Sequence, residues 1–276
     1  MAELMAPGAV RKMRTELAGP VQYHLILDDR ELLLNEHIGQ TLKLEFLGAI
    51  NCIACDRKTN KSFSQGYCYP CFKRLAQCDV CIVSPEKCHY AAGTCRAPQW
   101  GETHCMIDHI VYLANTSGMK VGITRHSQVP TRWMDQGATQ ARPIFRVDTR
   151  LQSGLVETLF KGYIADKTNW QAMLKGGAQD ADLEAERQRL MEACAPQLQE
   201  LRNIYGLQAI TELDAADETS ISYPVLEYPV KVKSFNLDKT PVVEGTLMGI
   251  KGQYLIFDTG VINMRKYGGY KLAVHN

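Results

Sequence analysis

The chain has 276 residues, 45% of them hydrophobic and 22% charged, which is ample core material for a globular protein of one to three domains. Its net charge of +1 singles out no partner. No apolar run reaches the roughly 18 residues that a membrane span needs, and no cationic stretch followed by an apolar core opens the chain, so a cytoplasmic protein is expected. Its ten cysteines then read as thiolate metal ligands in a reducing compartment rather than as disulfides. Charge is unevenly spread. Residues 106–176 hold nine Lys/Arg against five Asp/Glu, and residues 180–218 hold three against ten. A basic middle suits a phosphate-rich partner, and the acidic stretch reads most simply as a solvated helix.

Residues 1–50 form a β-rich N-terminal segment. "VQYHLILD", "ELLLNE" and "TLKLEFLGAI" alternate or run apolar between breaks at Asp-Asp and glycine. Residues 51–105 have little periodic apolar pattern and nine of the ten cysteines. Cys52-x2-Cys55 and Cys68-x2-Cys71 each form a knuckle that offers two thiolates to one face. The loop between the knuckles is long enough to bring them together, and this spacing resembles a zinc ribbon. Four thiolates around Zn²⁺ close the coordination sphere, so the site is structural. Cys78-x2-Cys81 forms a third knuckle. With Cys88 and Cys95 it is expected to hold a second zinc, with Cys105, His104 or His89 as substitutes and His109 nearby. A cross-braced arrangement of the pairs is also open. Metal would supply much of the folding free energy of such a module. Arg96 and Trp100, beside the cluster, either pack over the metal or contact nucleic acid. Cys194, alone on a helix, reads as a small buried apolar residue.

Residues 106–206 change character. "IVYLAN" and "KVGITR" are two strands joined by the turn chemistry of "TSG". "PTRWMDQGA" is a short helix from Pro130 to Gly137, and "RPIFRVDTR" a third strand. "GLVETLFKGYIADKTNWQAML" has helical apolar spacing through Tyr163 and Ile164 and places Glu157 in its first turn. "DADLEAERQRLMEACAPQLQELRNIYG" is a long amphipathic helix, kinked or interrupted near Pro196. Residues 206–222 read as a polar linker. In 223–276 the strands "YPVKVKSF", "VVEGTLMGIKG", "QYLIFD", "VINMRKY" and "YKLAVH" suggest a small barrel, and the two β-rich ends are expected to pack as one module.

The order of elements over roughly residues 108–170 resembles the GIY-YIG nuclease superfamily. Tyr112 matches the tyrosine of its first strand, and Lys120-Val121-Gly122 stands where its second tripeptide falls. Arg132 matches the helix arginine, and Glu157 the glutamate that holds a divalent metal. The second tyrosine is replaced by Lys120, and Gln136 stands where a histidine or tyrosine is common. The resemblance implies Mg²⁺ or Mn²⁺ on Glu157, Tyr112 as a proton acceptor, and Arg132, Arg125 and Lys120 on a phosphate. The cysteine cluster together with "GTCRAPQWGETHC", "KVGITR" and "TRWMDQGA" also looks like an uncharacterised family of bacterial proteins.

The expected fold class is α+β: a central GIY-YIG-like α/β domain, preceded by a zinc-ribbon-like module and flanked by β-rich ends forming a small barrel or sandwich. The expected function is that of a zinc-containing protein that binds DNA or RNA; the resemblance adds metal-dependent phosphodiester cleavage as an activity open to the same site. The alternative is an inactive nucleic-acid-binding module or a protein–protein adaptor on the same scaffold. No membrane partner is expected.

Overall fold

A computed structural model describes residues 4–276; the first three positions of the N-terminal β segment lie outside the described residues. The chain is mixed α/β, built on three sheets. The largest is shared by the two ends of the sequence. Strands β1 (Leu4–Ala9) and β5 (Thr41–Asn51) come from the first fifty or so residues. Strands β12 (Val242–Lys251), β13 (Tyr254–Phe257), β14 (Gly260–Asn263) and β15 (Tyr270–His275) come from the last. Their order is β1-β15-β5-β12-β13-β14, with β6 (Lys58–Thr59) also paired to β5. This path is open, with β1 and β14 at its ends, so the expected barrel does not close. Leu272, Leu44, Leu247 and Phe257 are fully buried along it. A small sheet of β2 (Arg14–Glu16), β3 (Gln22–Leu27) and β4 (Arg30–Leu33) packs nearby through Tyr23 and Leu25.

The central sheet is built on the hairpin of β7 (His109–Asn115) and β8 (Met119–Arg125). Strand β9 (Gln140–Val147) pairs antiparallel with the other edge of β7. Every residue of β7 is buried, and the alternation of side chains explains how. Ile110, Tyr112 and Ala114 join the core of the large sheet, whereas Val111 and Leu113 pack under the helices. Those helices are α4 (Arg150–Phe160) and α6 (Leu183–Tyr205). Cys194 lies in this second core, as a small buried residue.

Four expectations about local structure are corrected. The helical spacing through Tyr163 and Ile164 does not continue one helix. Helix α4 ends at Phe160 and a separate turn of helix, α5, spans Trp170–Leu174. Between them the chain folds back so that the Val121 N–H donates to the Ala165 carbonyl at 2.9 Å. Helix α6 runs unbroken through Pro196. The "linker" contains β10 (Ile210–Glu212) and β11 (Thr219–Ser220), both paired to β9. Finally, "YPVKVKSF" makes only an isolated bridge, at Ser234, and "VINMRKY" leaves strand after Asn263 for a 3-10 turn.

Candidate functional site

Two constellations carry chemistry, and the first is the cysteine cluster. Cys52 follows β5 directly, and Cys68 and Cys71 sit at the start of helix α1 (Tyr69–Arg74), whose first turn contains Pro70. Cys55 lies in the turn after Cys52, where the Asp56 N–H donates back to the Cys52 carbonyl at 2.9 Å. The sulfur atoms of Cys52, Cys55, Cys68 and Cys71 all lie within 4.8 Å of one another, and three of the four residues are buried. Cys55 and Cys68 sulfurs stand 3.7 Å apart, close to the edge of about 3.8 Å of a tetrahedron with 2.3 Å metal–sulfur bonds. Burial opposes ionisation of Cys52, but N–H groups of Cys68, Ala54 and Cys55 aimed at its sulfur bring its pKa down to about 6. Cys71 moves the other way, up to about 12, through burial and its crowded sulfur neighbours. That mutual repulsion is what a bound divalent cation relieves. The donor set therefore fits a metal ion such as zinc.

The expected second set, Cys78, Cys81, Cys88 and Cys95, does not assemble as written. Cys78 faces Ser64 and Tyr67, while Cys105 takes its place beside the other three.

The second constellation is a cleft of about 880 Å³ where the sheets and the cysteine module meet. Strand β8 contributes Lys120, Gly122 and Thr124 from one face, together with Arg125 at its end. Helix α3 (Thr131–Asp135) and its C-cap contribute Arg132, Asp135 and Gln136. Helix α4 contributes Arg150 and Glu157, strand β13 contributes Tyr254, and the 3-10 turn after β14 contributes Arg265. Lys120, Arg125, Arg132 and Glu157 thus share one cleft.

Tyr112 reaches the same place from below. It pairs across the hairpin with Gly122, where a Cβ would stand 2.7 Å from the tyrosine oxygen. The missing side chain lets the phenol pass, and its hydroxyl donates to Gln136 Oε1 at 2.9 Å. Burial pushes the Tyr112 phenol up to about 12, against the pull of Arg132. In this arrangement the hydroxyl donates its proton to Gln136, and burial works against the proton-acceptor role that the resemblance implies.

Glu157 also differs from expectation. Helix α4 starts at Arg150, with Thr149 and Gln152 forming a capping box, so Glu157 lies in its second half and not at its positive end. The residue is 9% exposed, and burial raises its carboxyl above the ordinary range, against the pull of Lys161. The Lys161 ammonium stands 3.5 Å from Glu157 Oε2 and 3.3 Å from Asp166 Oδ2. A lysine thus holds the place beside the glutamate, and among the described residues no group of three potential ligand atoms gathers there. The residues present do not fit the expected Mg²⁺ or Mn²⁺ ion.

The salt bridges of the cleft join Lys12 to Asp135, and Lys161 to Glu157 and Asp166. Among the described residues Lys120, Arg125, Arg132, Arg150 and Arg265 form no ion pair with a carboxylate. Burial, with Arg132 nearby, lowers Lys120 to about 8 and also lowers Arg150 and Arg265. Arg150 and Arg265 are not among the residues that motif spacing singles out. Arg150 stands beside the Thr-x-x-Gln cap at 149–152, a signal for a helix start that was available. Arg265 enters from a distant strand end and left no local sign. Of the other candidates, Trp100 and His104 stack at 4.2 Å and line the cleft. Arg96 instead pairs with Asp79 at 2.7 Å. His109 is fully buried, and burial lowers its pKa to about 4.

The fold and the four-thiol cluster define a mixed α/β protein with a four-cysteine site that could hold a metal ion. The comparison with known families goes one step further: the chain belongs to the family described as "Protein of unknown function (DUF2797)", matched over residues 39–272. No curated protein and no solved structure matches it. The likeness to GIY-YIG nucleases rests on the quoted residues alone. No helix among the described residues is long and apolar enough to cross a membrane.

Proposed function

We propose that this zinc-containing protein binds nucleic acid by drawing a phosphodiester backbone into the cleft. The observation that carries the reading is the group of five cations, Lys120, Arg125, Arg132, Arg150 and Arg265, with no carboxylate partner on one concave surface. Such charges repel one another in a half-buried place unless an anion joins them. Arginine forks suit phosphate oxygens. Aromatic rings at the cleft, the Trp100–His104 stack and Tyr254 stacked on Trp170 at 5.7 Å, suit bases better than they suit inorganic phosphate.

The state of the central residues favours binding over metal-dependent cleavage. Tyr112 keeps its proton and Glu157 is tied to Lys161. In this reading Arg132 and Arg125 brace the phosphate, Lys120 adds charge below it, and the Tyr112–Gln136 pair holds the floor. A cleavage reading is supported by one fact only, the meeting of Lys120, Arg125, Arg132 and Glu157 in one cleft with Tyr112 beneath.

The test is anisotropy with labelled DNA and RNA oligonucleotides over a salt series, run beside a nicking assay in Mg²⁺ and Mn²⁺. We expect affinity to fall linearly on a log–log salt plot, by about 0.7 per phosphate contact for single strands, without turnover. No affinity at low salt sinks the proposal. Nicking that vanishes in Glu157→Gln and Tyr112→Phe, with zinc content intact, establishes the cleavage reading instead.

A further inference from the structure

A second group of thiols remains outside the Cys52–Cys71 cluster. From residue 76 to residue 105 the chain is wound into three single 3-10 turns and the short helix α2 (Pro98–His104). Its buried apolar side chains are only Ala76, Pro85 and Cys105. Apolar burial on that scale does not hold thirty residues of irregular chain. Yet the segment is closely fitted to its neighbours. Arg150 Nη2 donates to the Ile82 carbonyl at 2.6 Å, and the Arg150 N–H donates to the Cys105 carbonyl at 2.7 Å. A Cβ on Gly154 of α4 would stand 2.6 Å from Pro85. Something other than a hydrophobic core fixes this path.

Cys81, Cys88, Cys95 and Cys105 all line one cavity of about 20 Å³, with Trp100 and Gly101 beside them. A cavity of that size holds about one water-sized particle. Cys88 and Cys105 sit at the C-caps of a 3-10 turn and of α2. A Cβ on Gly101 would stand 3.7 Å from the Cys95 sulfur, so the helix approaches closely.

Among the described residues, the group of ligand atoms that comes within 4.8 Å of one another in this region is that of Asp79, Cys81 and His89, whereas the four cysteines are brought together by the cavity they line. Asp79, however, is already engaged. Its carboxylate accepts from the Val80 N–H at 2.6 Å and pairs with Arg96 Nε at 2.7 Å. His89 Nδ1 is hydrogen-bonded to Thr94 Oγ1 at 2.8 Å. The four cysteines are the donors left without such partners, and soft thiolates favour zinc.

We propose that Cys81, Cys88, Cys95 and Cys105 bind a second structural zinc ion, each thiol giving up its proton to solvent as the metal–sulfur bond forms. The ion clamps α2 and the 3-10 turns against the start of α4, and so holds Arg150, Trp100 and His104 in the cleft wall. This site is independent of what the cleft binds.

Elemental analysis and native mass spectrometry of the full chain test it. Wild type is expected to carry two zinc ions, Cys88→Ser and Cys105→Ser one each, and Cys78→Ser and His89→Ala two each. A single zinc in wild type overturns the proposal, as does loss of the second zinc in His89→Ala with retention in Cys88→Ser. Because Cys105 is also buried against α4, cobalt-loaded wild type gives a reading without mutation. Thiolate-to-cobalt absorption of two four-sulfur sites is expected, and half that intensity overturns the proposal.

Discussion

The cysteine module and the large sheet sit side by side and are held by different forces. In the sheet, Leu44, Leu247, Leu272 and Val274 are buried to within 1% of their surface, and paired strands satisfy the backbone on either side. Around the first cluster, the buried side chains are the three cysteines Cys52, Cys68 and Cys71, with Tyr67 and Leu75 only partly covered. One region buries carbon and the other gathers sulfur. The cleft lies on the seam between them, so its shape depends on both.

The largest expected effect separates the two. Cys71→Ser should release the metal and unfold residues 52–75, with a loss on the order of 10 kcal/mol of metal-linked folding energy. Zinc content and limited proteolysis read it, and cleavage should concentrate between Ile53 and Tyr67. If the module stays protease-resistant without zinc, apolar packing supports it after all. The converse variant, Leu272→Ala, should lower global stability by about 2–5 kcal/mol in urea titration while zinc stays bound. Next comes Gly122→Ala, whose added carbon meets the Tyr112 ring and hydroxyl. It should cost about 1–3 kcal/mol through overpacking, and an unchanged urea midpoint would show that the phenol has room to move.

A pH titration addresses the seam itself. Burial holds Lys120 at about 8 in the fold, below its ordinary value of 10.5. The unfolded chain binds the proton more tightly, so stability contributed by this site should rise from about pH 8 to about pH 10.5. Lys120→Met should flatten that rise. Nucleic-acid affinity should fall over the same range in wild type, since the neutral amine no longer attracts phosphate. The smallest effect on stability, and a selective one on binding, is expected from Arg132→Ala. Its salt slope should drop by about 1 with the urea midpoint unchanged.

What was legible in the sequence was local. The first four-cysteine cluster lies within twenty residues, and spacing alone announces it. The β7–β8 hairpin was visible in alternation plus a turn. Long-range choices were not visible. Cys105 replaces Cys78 beside Cys81 because α2 and α4 meet, a fact of packing and not of spacing. The apolar periodicity from Leu155 points to a helix that opens beside Glu157, whereas the capping box at Thr149 marks the true start. Arg265 joins the cleft only once β14 has paired with β13.

The sharing of one sheet by both ends of the sequence also has a consequence in time. Leu44 pairs with Val243 on one side and with Val274 on the other, so β5 waits for strands made much later. Closing so long a loop is slow, because its entropy is lost before the contacts form. The cysteine turns after β5 draw all four thiols from residues 52–71, so a metal could gather them during synthesis before Ser62 and Gln65 find their late partners Gly268 and Arg265. The cleft, which lies on the seam between the turns and the sheet, is complete only when both ends of the chain are in place.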